Sequence, residues 1–122
     1  LVLTIGYLLL EADEVDLLLA NGRRVPARVR ALDLATGFGL VQALWPLGLP
    51  AAPLAPSSRL ASGEPLLLVT GGPDGAITPA TLSSRAPYSG FWEYHIEQAL
   101  FTRPARTDHG GAGLFNRRGE LL

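Results

Sequence analysis

The sequence predicts an all-β fold, a barrel or sandwich of many short strands. Three observations lead there. The apolar runs are short and are punctuated by 14 glycines and 10 prolines in 122 residues, so no long helix is favoured. Asn21-Gly22 stands between two strand-like runs, the signature of a hairpin. Residues 24–31 alternate cleanly, with Val25, Ala27, Val29 and Ala31 on one face and Arg24, Pro26, Arg28 and Arg30 on the other. The length fits one domain with a real core. A composition of 48% hydrophobic and 17% charged residues suits a globular chain rather than a disordered one.

In chain order, residues 1–10 are apolar but short and lack a basic leader, so they read as a strand pair or a strand plus turn rather than a signal-peptide remnant. Residues 15–25 read as a hairpin with a two-residue type I′ turn, since Asn and Gly tolerate the positive φ both centres need. The arginines of the second strand form its solvated face. Residues 38–44 are the next strand. Residues 45–58 carry Pro46, Pro50, Pro53 and Pro56, which excludes a helix or a central strand. This segment is expected to pack on a hydrophobic surface and to divide the chain into parts 1–44 and 59–122. Residues 66–70 form a short strand, and residues 71–75 a turn. Residues 76–84 form a strand interrupted by Pro79. Residues 92–101 fit a strand or a helical turn. Residues 110–113 form a tight loop, and Leu114-Phe115 opens a strand.

Charge and composition exclude several roles. The net charge is −1, which gives nucleic acid or an anionic membrane no reason to bind. No stretch is long and apolar enough for a membrane-spanning helix. Cysteine is absent, so disulfides and thiolate metal sites are excluded. Methionine is absent even at position 1, as expected of a chain that is processed, cropped or only the ordered part of something longer.

Several motifs carry a family resemblance. The run Asp108-His109-Gly110-Gly111-Ala112-Gly113-Leu114-Phe115-Asn116-Arg117-Arg118-Gly119-Glu120 is similar to Gly-Asn-Ser-Gly-Gly-Pro-Leu-Leu-Asn-x-x-Gly-Glu of trypsin-like serine proteases of the HtrA/Deg kind. Leu3-Thr4, Tyr7-Leu8-Leu9 and Ala12-Asp13-Glu14-Val15 resemble that family's Leu-Thr-Asn-Asn-His-Val-Val-x-x-Ala-Asp-Glu-Ile. Leu19-Ala20-Asn21-Gly22-Arg23 resembles its Leu-Ala-Asp-Gly-Arg hairpin. Asp33, Thr36 and the run to Val41 are similar to its Arg-Asp-Pro-x-Thr-Asp-Leu-Ala-Val-Leu. Leu60-x-x-Gly63-Glu64, Val69-x-Gly71-x-Pro73-x-Gly75 and Ile77-Thr78-x-x-x-Leu82-Ser83 come next in register. The resemblance implies a chymotrypsin-like double antiparallel β-barrel. It also implies that the opening strands, the closing strand and the closing helix lie outside this sequence, which would leave strand edges open.

The resemblance places the catalytic triad on Tyr7, Gly37 and Gly110. Acyl transfer needs a nucleophile, a base in reach of it and a group that orients the base. A phenol is a poor base at neutral pH, and glycine offers neither carboxylate nor hydroxyl. The oxyanion-loop equivalents are Asp108, His109 and Gly110. A carboxylate at Asp108 would repel a developing oxyanion. The expectation is therefore a catalytically inactive homologue that binds peptide or protein, with no cofactor and no metal, and with Tyr7, His109 and Gly111 lining a groove. Strand addition to an edge does not require a triad. The resemblance further implies a homo-oligomer and an extracytoplasmic location.

The alternative is a hydrolase with a relocated site built on His109 or His95. Neighbouring residues such as Asp108 and His109 rarely point into one site, and His109 reads as a loop histidine. His95 with Glu93 and Glu97 makes a thin donor set, better read as a solvated face. The serines lack a Gly-x-Ser-x-Gly context. Neither glycine-rich run leads a Lys-Ser/Thr helix, so both read as turns rather than phosphate cradles.

Overall fold

The computed structural model describes residues 1–71, 75–91, 94–107 and 110–122, and these are all-β. Strands β1 (Val2–Ile5), β2 (Val15–Leu18), β3 (Arg24–Asp33) and β4 (Phe38–Ala43) form one antiparallel sheet in the order β1-β4-β3-β2. Strands β5 (Pro65–Val69), β6 (Ile77–Ser89), β7 (His95–Arg103) and β8 (Gly113–Phe115) form a second sheet in the order β7-β6-β5-β8. Two compact units result. One holds Leu1–Leu49 and Ser89–Ile96, the other Pro50–Tyr88 and Glu97–Leu122.

In the first unit the β2–β3 hairpin forms where Asn21-Gly22 predicts it, but with a different turn. The Gly22 N–H donates to the Leu19 carbonyl at 2.8 Å, and the Leu19 N–H donates to the Arg23 carbonyl at 2.9 Å. The loop is therefore the three residues 20–22, with Gly22 alone at the left-handed position (φ 80°). Asn21 contributes its side chain instead. Its Oδ1 accepts the Arg23 N–H at 3.0 Å, an Asx turn that satisfies a backbone donor the hairpin leaves free.

The alternation along β3 also needs correction. Val29 faces Val41 and Ala31 faces Leu40, so Arg30 is an extra residue in the ladder. This β-bulge reverses the facing of the residues after it. Ala31 leaves the inner face and Leu32, opposite Gly39, takes it. Val25 and Val41 are each 2% exposed and centre this unit's core. Arg24 pairs with Asp16 at 2.9 Å, and Arg28 donates to the Gln42 Oε1 at 3.1 Å; both arginines are exposed. Arg23 donates to the carbonyls of Pro46 and Leu47 at 3.0 and 2.7 Å, fixing the start of the proline-rich connector. The connector does not pack on a hydrophobic surface as expected. Of residues 45–58 only Leu47, Ala55 and Ser57 are even half-buried.

The second unit's core is Leu66, Ala80 and Leu82, with Leu60, Leu100, Leu114 and Leu122 against it. Period-two spacing on β6 puts Ala80 and Leu82 on one face, and Leu66 meets Ala80 across the ladder. Pro79 does not break β6, which runs thirteen residues. The Thr70 N–H bonds the Ala76 carbonyl, and the Leu82 N–H bonds the Glu64 carbonyl. Hydrogen-bonded pairs with β5 thus fall on even positions of β6. Pro79, opposite Leu67, stands between them and forfeits no bond to β5. The turn expected at residues 71–75 lies largely outside the described residues. Of residues 92–101, those from His95 onward are strand rather than helical turn. Leu54 bridges Leu121, with the Ala55 N–H donating to the Leu121 carbonyl and the Leu121 N–H to the Pro53 carbonyl, both at 2.8 Å.

Candidate functional site

Tyr7 lies on a single 3-10 turn, Gly6–Leu9, at the end of β1. Residues three apart eclipse in this geometry. Gly6 and Leu9 therefore share the inner face, and both are buried. A Cβ at Gly39 would lie 2.6 Å from Leu9 Cδ1, so Leu9 fills the space that glycine leaves open on β4. The same periodicity puts Tyr7 and Leu10 together on the outer face. With Glu11 and Leu34 they line an open depression of about 510 Å³. Tyr7 is 56% exposed, and among the described residues no carboxylate bonds it.

Gly37 stands beside this turn, since the Gly6 N–H donates to the Gly37 carbonyl at 2.7 Å. The two slots that the resemblance gives to base and acid are thus brought together. Gly37 has φ 75°, a conformation that side chains other than glycine rarely adopt. A Cβ there would also meet Tyr94 Cγ at 2.9 Å. The tyrosine ring covers the position from which a carboxylate would project. Gly90 supports the other end of the ring: a Cβ there would overlap the Tyr94 Cζ and hydroxyl. The Gly90 N–H donates to the Tyr94 carbonyl at 3.1 Å, and the His95 N–H donates to the Ala35 carbonyl at 2.9 Å. Tyr94 and His95 are therefore tied onto the Asp33–Gly37 loop.

That loop keeps its framework. The Asp33 Oδ2 accepts the Thr36 hydroxyl at 2.7 Å, its Oδ1 accepts the Ala35 N–H at 3.1 Å, and the Gly37 N–H donates to the Asp33 carbonyl at 2.8 Å. The Thr36 hydroxyl foremost, with the Ala35 and Thr36 N–H groups, holds the Asp33 carboxyl below the usual carboxylate range against a partial opposing effect of desolvation.

Gly110 is an exposed turn residue of the second unit, and Gly111, with φ 75°, comes directly after it. Asp108 and His109 lie outside the described residues. Beyond β8 the chain turns at Asn116, the buried polar residue of the second unit. Its Oδ1 accepts the N–H groups of Arg118 and Glu120 at 2.9 and 3.1 Å, and its Nδ2 donates to the Glu120 Oε2 at 2.6 Å. Arg118 pairs with the same carboxylate at 2.7 Å. Asn116 first and Arg118 second hold the Glu120 carboxyl below its ordinary range. The motif residues Asn116, Gly119 and Glu120 thus build a turn.

His95 is exposed, and its Nδ1 lies 2.9 Å from the Ser89 Oγ across the β6–β7 hairpin. Among the described residues no group of three or more His, Cys, Asp or Glu can hold a metal. Sequence reasoning missed Tyr94, Leu10, Glu11 and Leu34, and set Ser89 aside with the other serines for want of a Gly-x-Ser-x-Gly context. Tyr94 has no local signal, because it acts on Gly37 through the fold. Leu10 was accessible in principle, had residues 6–9 been read as a 3-10 turn.

Comparison with known proteins agrees with this fold. Residues 1–122 match the family model for the trypsin-like peptidase domain. No curated protein sequence matches significantly. Among solved structures, the HtrA-type protease AlgW with decapeptide superposes with a TM-score of 0.83 at 22% identity, over 98% of this chain and 37% of that one. The MamO protease domain from Magnetospirillum magneticum gives 0.79 at 16%, over 98% and 67%. The inactive form of the Rv3671c protease gives 0.82 at 16%, over 98% and 63%. At such identities these likenesses speak for the fold, and this chain spans little more than a third of the AlgW chain. The chain belongs to the trypsin-like peptidase domain family and has the chymotrypsin-like fold of the HtrA-type proteases.

Proposed function

We propose that this domain is a catalytically inactive relative of the HtrA-like serine proteases that binds extended peptide or protein segments instead of cleaving them. The observation that carries this reading is the Tyr94 ring over Gly37. An acid needs a side chain at that slot, and the positive φ together with a 2.9 Å approach to Tyr94 Cγ leaves no room for one. Tyr7 and Gly110, at the other two slots, supply no imidazole and no hydroxyl. Binding does not need the triad, and the exposed apolar depression beside Tyr7 offers a peptide side chain a seat. The test is incubation with a fluorogenic unfolded-protein substrate and a fluorophosphonate probe. No turnover and no labelling is the expected result; turnover that survives repurification of the protein would overturn the reading.

A second reading is favoured by one distance. Ser89 and His95 sit within hydrogen-bond reach, so a hydroxyl and a base are paired. In the serine proteases a third group orients the imidazole, and no described residue bonds the His95 Nε2. Probe labelling lost in both Ser89→Ala and His95→Ala would establish this site; no labelling in the wild type would dismiss it.

A further inference from the structure

We infer that the depression beside Tyr7 selects a peptide in which an apolar side chain stands next to a basic one. This rests on the peptide-binding reading above and gives it a ligand chemistry. Among the described residues the depression has three apolar walls, Tyr7, Leu10 and Leu34, and one charged wall, Glu11. The apolar walls are 56%, 39% and 59% exposed, so their surface is available to an incoming side chain. The carboxylate wall is part of a longer feature. Glu11, Asp13, Glu14 and Asp16 fall within six residues, and among the described residues only Asp16 has a cationic partner, Arg24. Glu11, Asp13 and Glu14 are exposed, and no cation among the described residues neutralises them.

The 3-10 geometry fixes this juxtaposition. Leu9 anchors the turn on Gly39, which holds Leu10 and Tyr7 outward and starts the acidic segment at the rim. An aliphatic side chain gains by leaving water between Tyr7, Leu10 and Leu34. A guanidinium or ammonium beside it meets uncompensated negative charge, while an acidic residue is repelled. Electrostatic complementarity thus sets which peptides enter, and the apolar contact holds them.

Two fluorescein-labelled hexapeptides, Gly-Ala-Leu-Arg-Ala-Gly and Gly-Ala-Leu-Glu-Ala-Gly, test this by fluorescence polarisation at low ionic strength. The arginine peptide should bind about tenfold more tightly. Glu11→Gln should reduce the ratio to about threefold or less, and added salt should narrow it as well. Leu34→Ser, at an exposed position, should weaken both peptides. Equal binding of both peptides would overturn the inference and leave the peptide-binding reading intact. A preference unmoved by Glu11→Gln would place the selecting charge elsewhere and overturn it too. Saturation by neither peptide would defeat the peptide-binding reading itself. Self-association of the protein that is abolished by Leu34→Ser would assign the depression to a second copy of this chain instead.

Discussion

Two short segments of the family resemblance are treated differently by the structure. The loop Asp33–Gly37 and the turn Asn116–Glu120 are both braced by one polar side chain that accepts backbone N–H groups, Asp33 in one and Asn116 in the other. In the turn, every motif residue serves the turn itself. In the loop, the bracing residues Asp33 and Thr36 are present, while the slot they frame holds glycine under the Tyr94 ring. Residues of a motif that build backbone can thus be in place whatever stands at the positions that the motif gives to chemistry. A motif match by itself reports the first kind as readily as the second.

Substitution at Gly37 breaks the loop most directly. Gly37→Ala should cost about 3 kcal/mol, combining a left-handed backbone with displacement of the Tyr94 ring. Urea denaturation measures it. In a Tyr94→Ala background the same change should cost only the conformational part, about 1–2 kcal/mol; equal costs in both backgrounds would mean that the ring does not occupy the slot.

The turn should respond next. Asn116→Ala leaves two backbone donors without their acceptor in a buried place and should cost about 2 kcal/mol. Asn116→Asp keeps the acceptor oxygens but sets a second carboxylate against Glu120. It should raise the Glu120 pKa, visible in a side-chain NMR titration, and a Glu120 titration that stays put would show that the Asn116 amide is not its main support.

Gly22 supplies the control that sharpens the comparison. Its φ of 80° is close to that of Gly37, but a Cβ there would meet nothing within 4 Å. Gly22→Ala should therefore cost only about 1 kcal/mol by thermal or chemical unfolding. The excess at Gly37 is then the share of Tyr94.

The smallest effect is the dependence on pH. Asp33 and Glu120 both have folded-state pKa values below their unfolded ones. Their stabilisation is fully present above the unfolded values, about pH 4, and is lost as the pH falls through the lower folded values. Both groups are solvent-accessible, so the slope should be shallow and should weaken with salt. Asp33→Asn should flatten the loop's part of it and Glu120→Gln the turn's part; an acid limb unchanged in the double variant would count against both assignments.

The sequence by itself determined the strands and turns whose causes are local. Asn21-Gly22 marks a hairpin because few residue pairs bend the chain so readily, and the alternation of residues 25–29 marks a face because strand side chains have period two. The proposal that Tyr7, Gly37 and Gly110 stand at the triad positions rests on residue identity and register with the motif alone. The tertiary structure alone decided the features that depend on contacts made across the chain. The bulge at Arg30 turned the end of β3 over, because register is set jointly by two strands. Pro79 was tolerated because β5 requires no N–H from that position. Tyr94 came to cover Gly37 from far along the chain, and Leu9 on Gly39 turned Tyr7 and Leu10 outward. None of these leaves a mark in a local window, because each is a matter of which surfaces the fold brings within van der Waals reach.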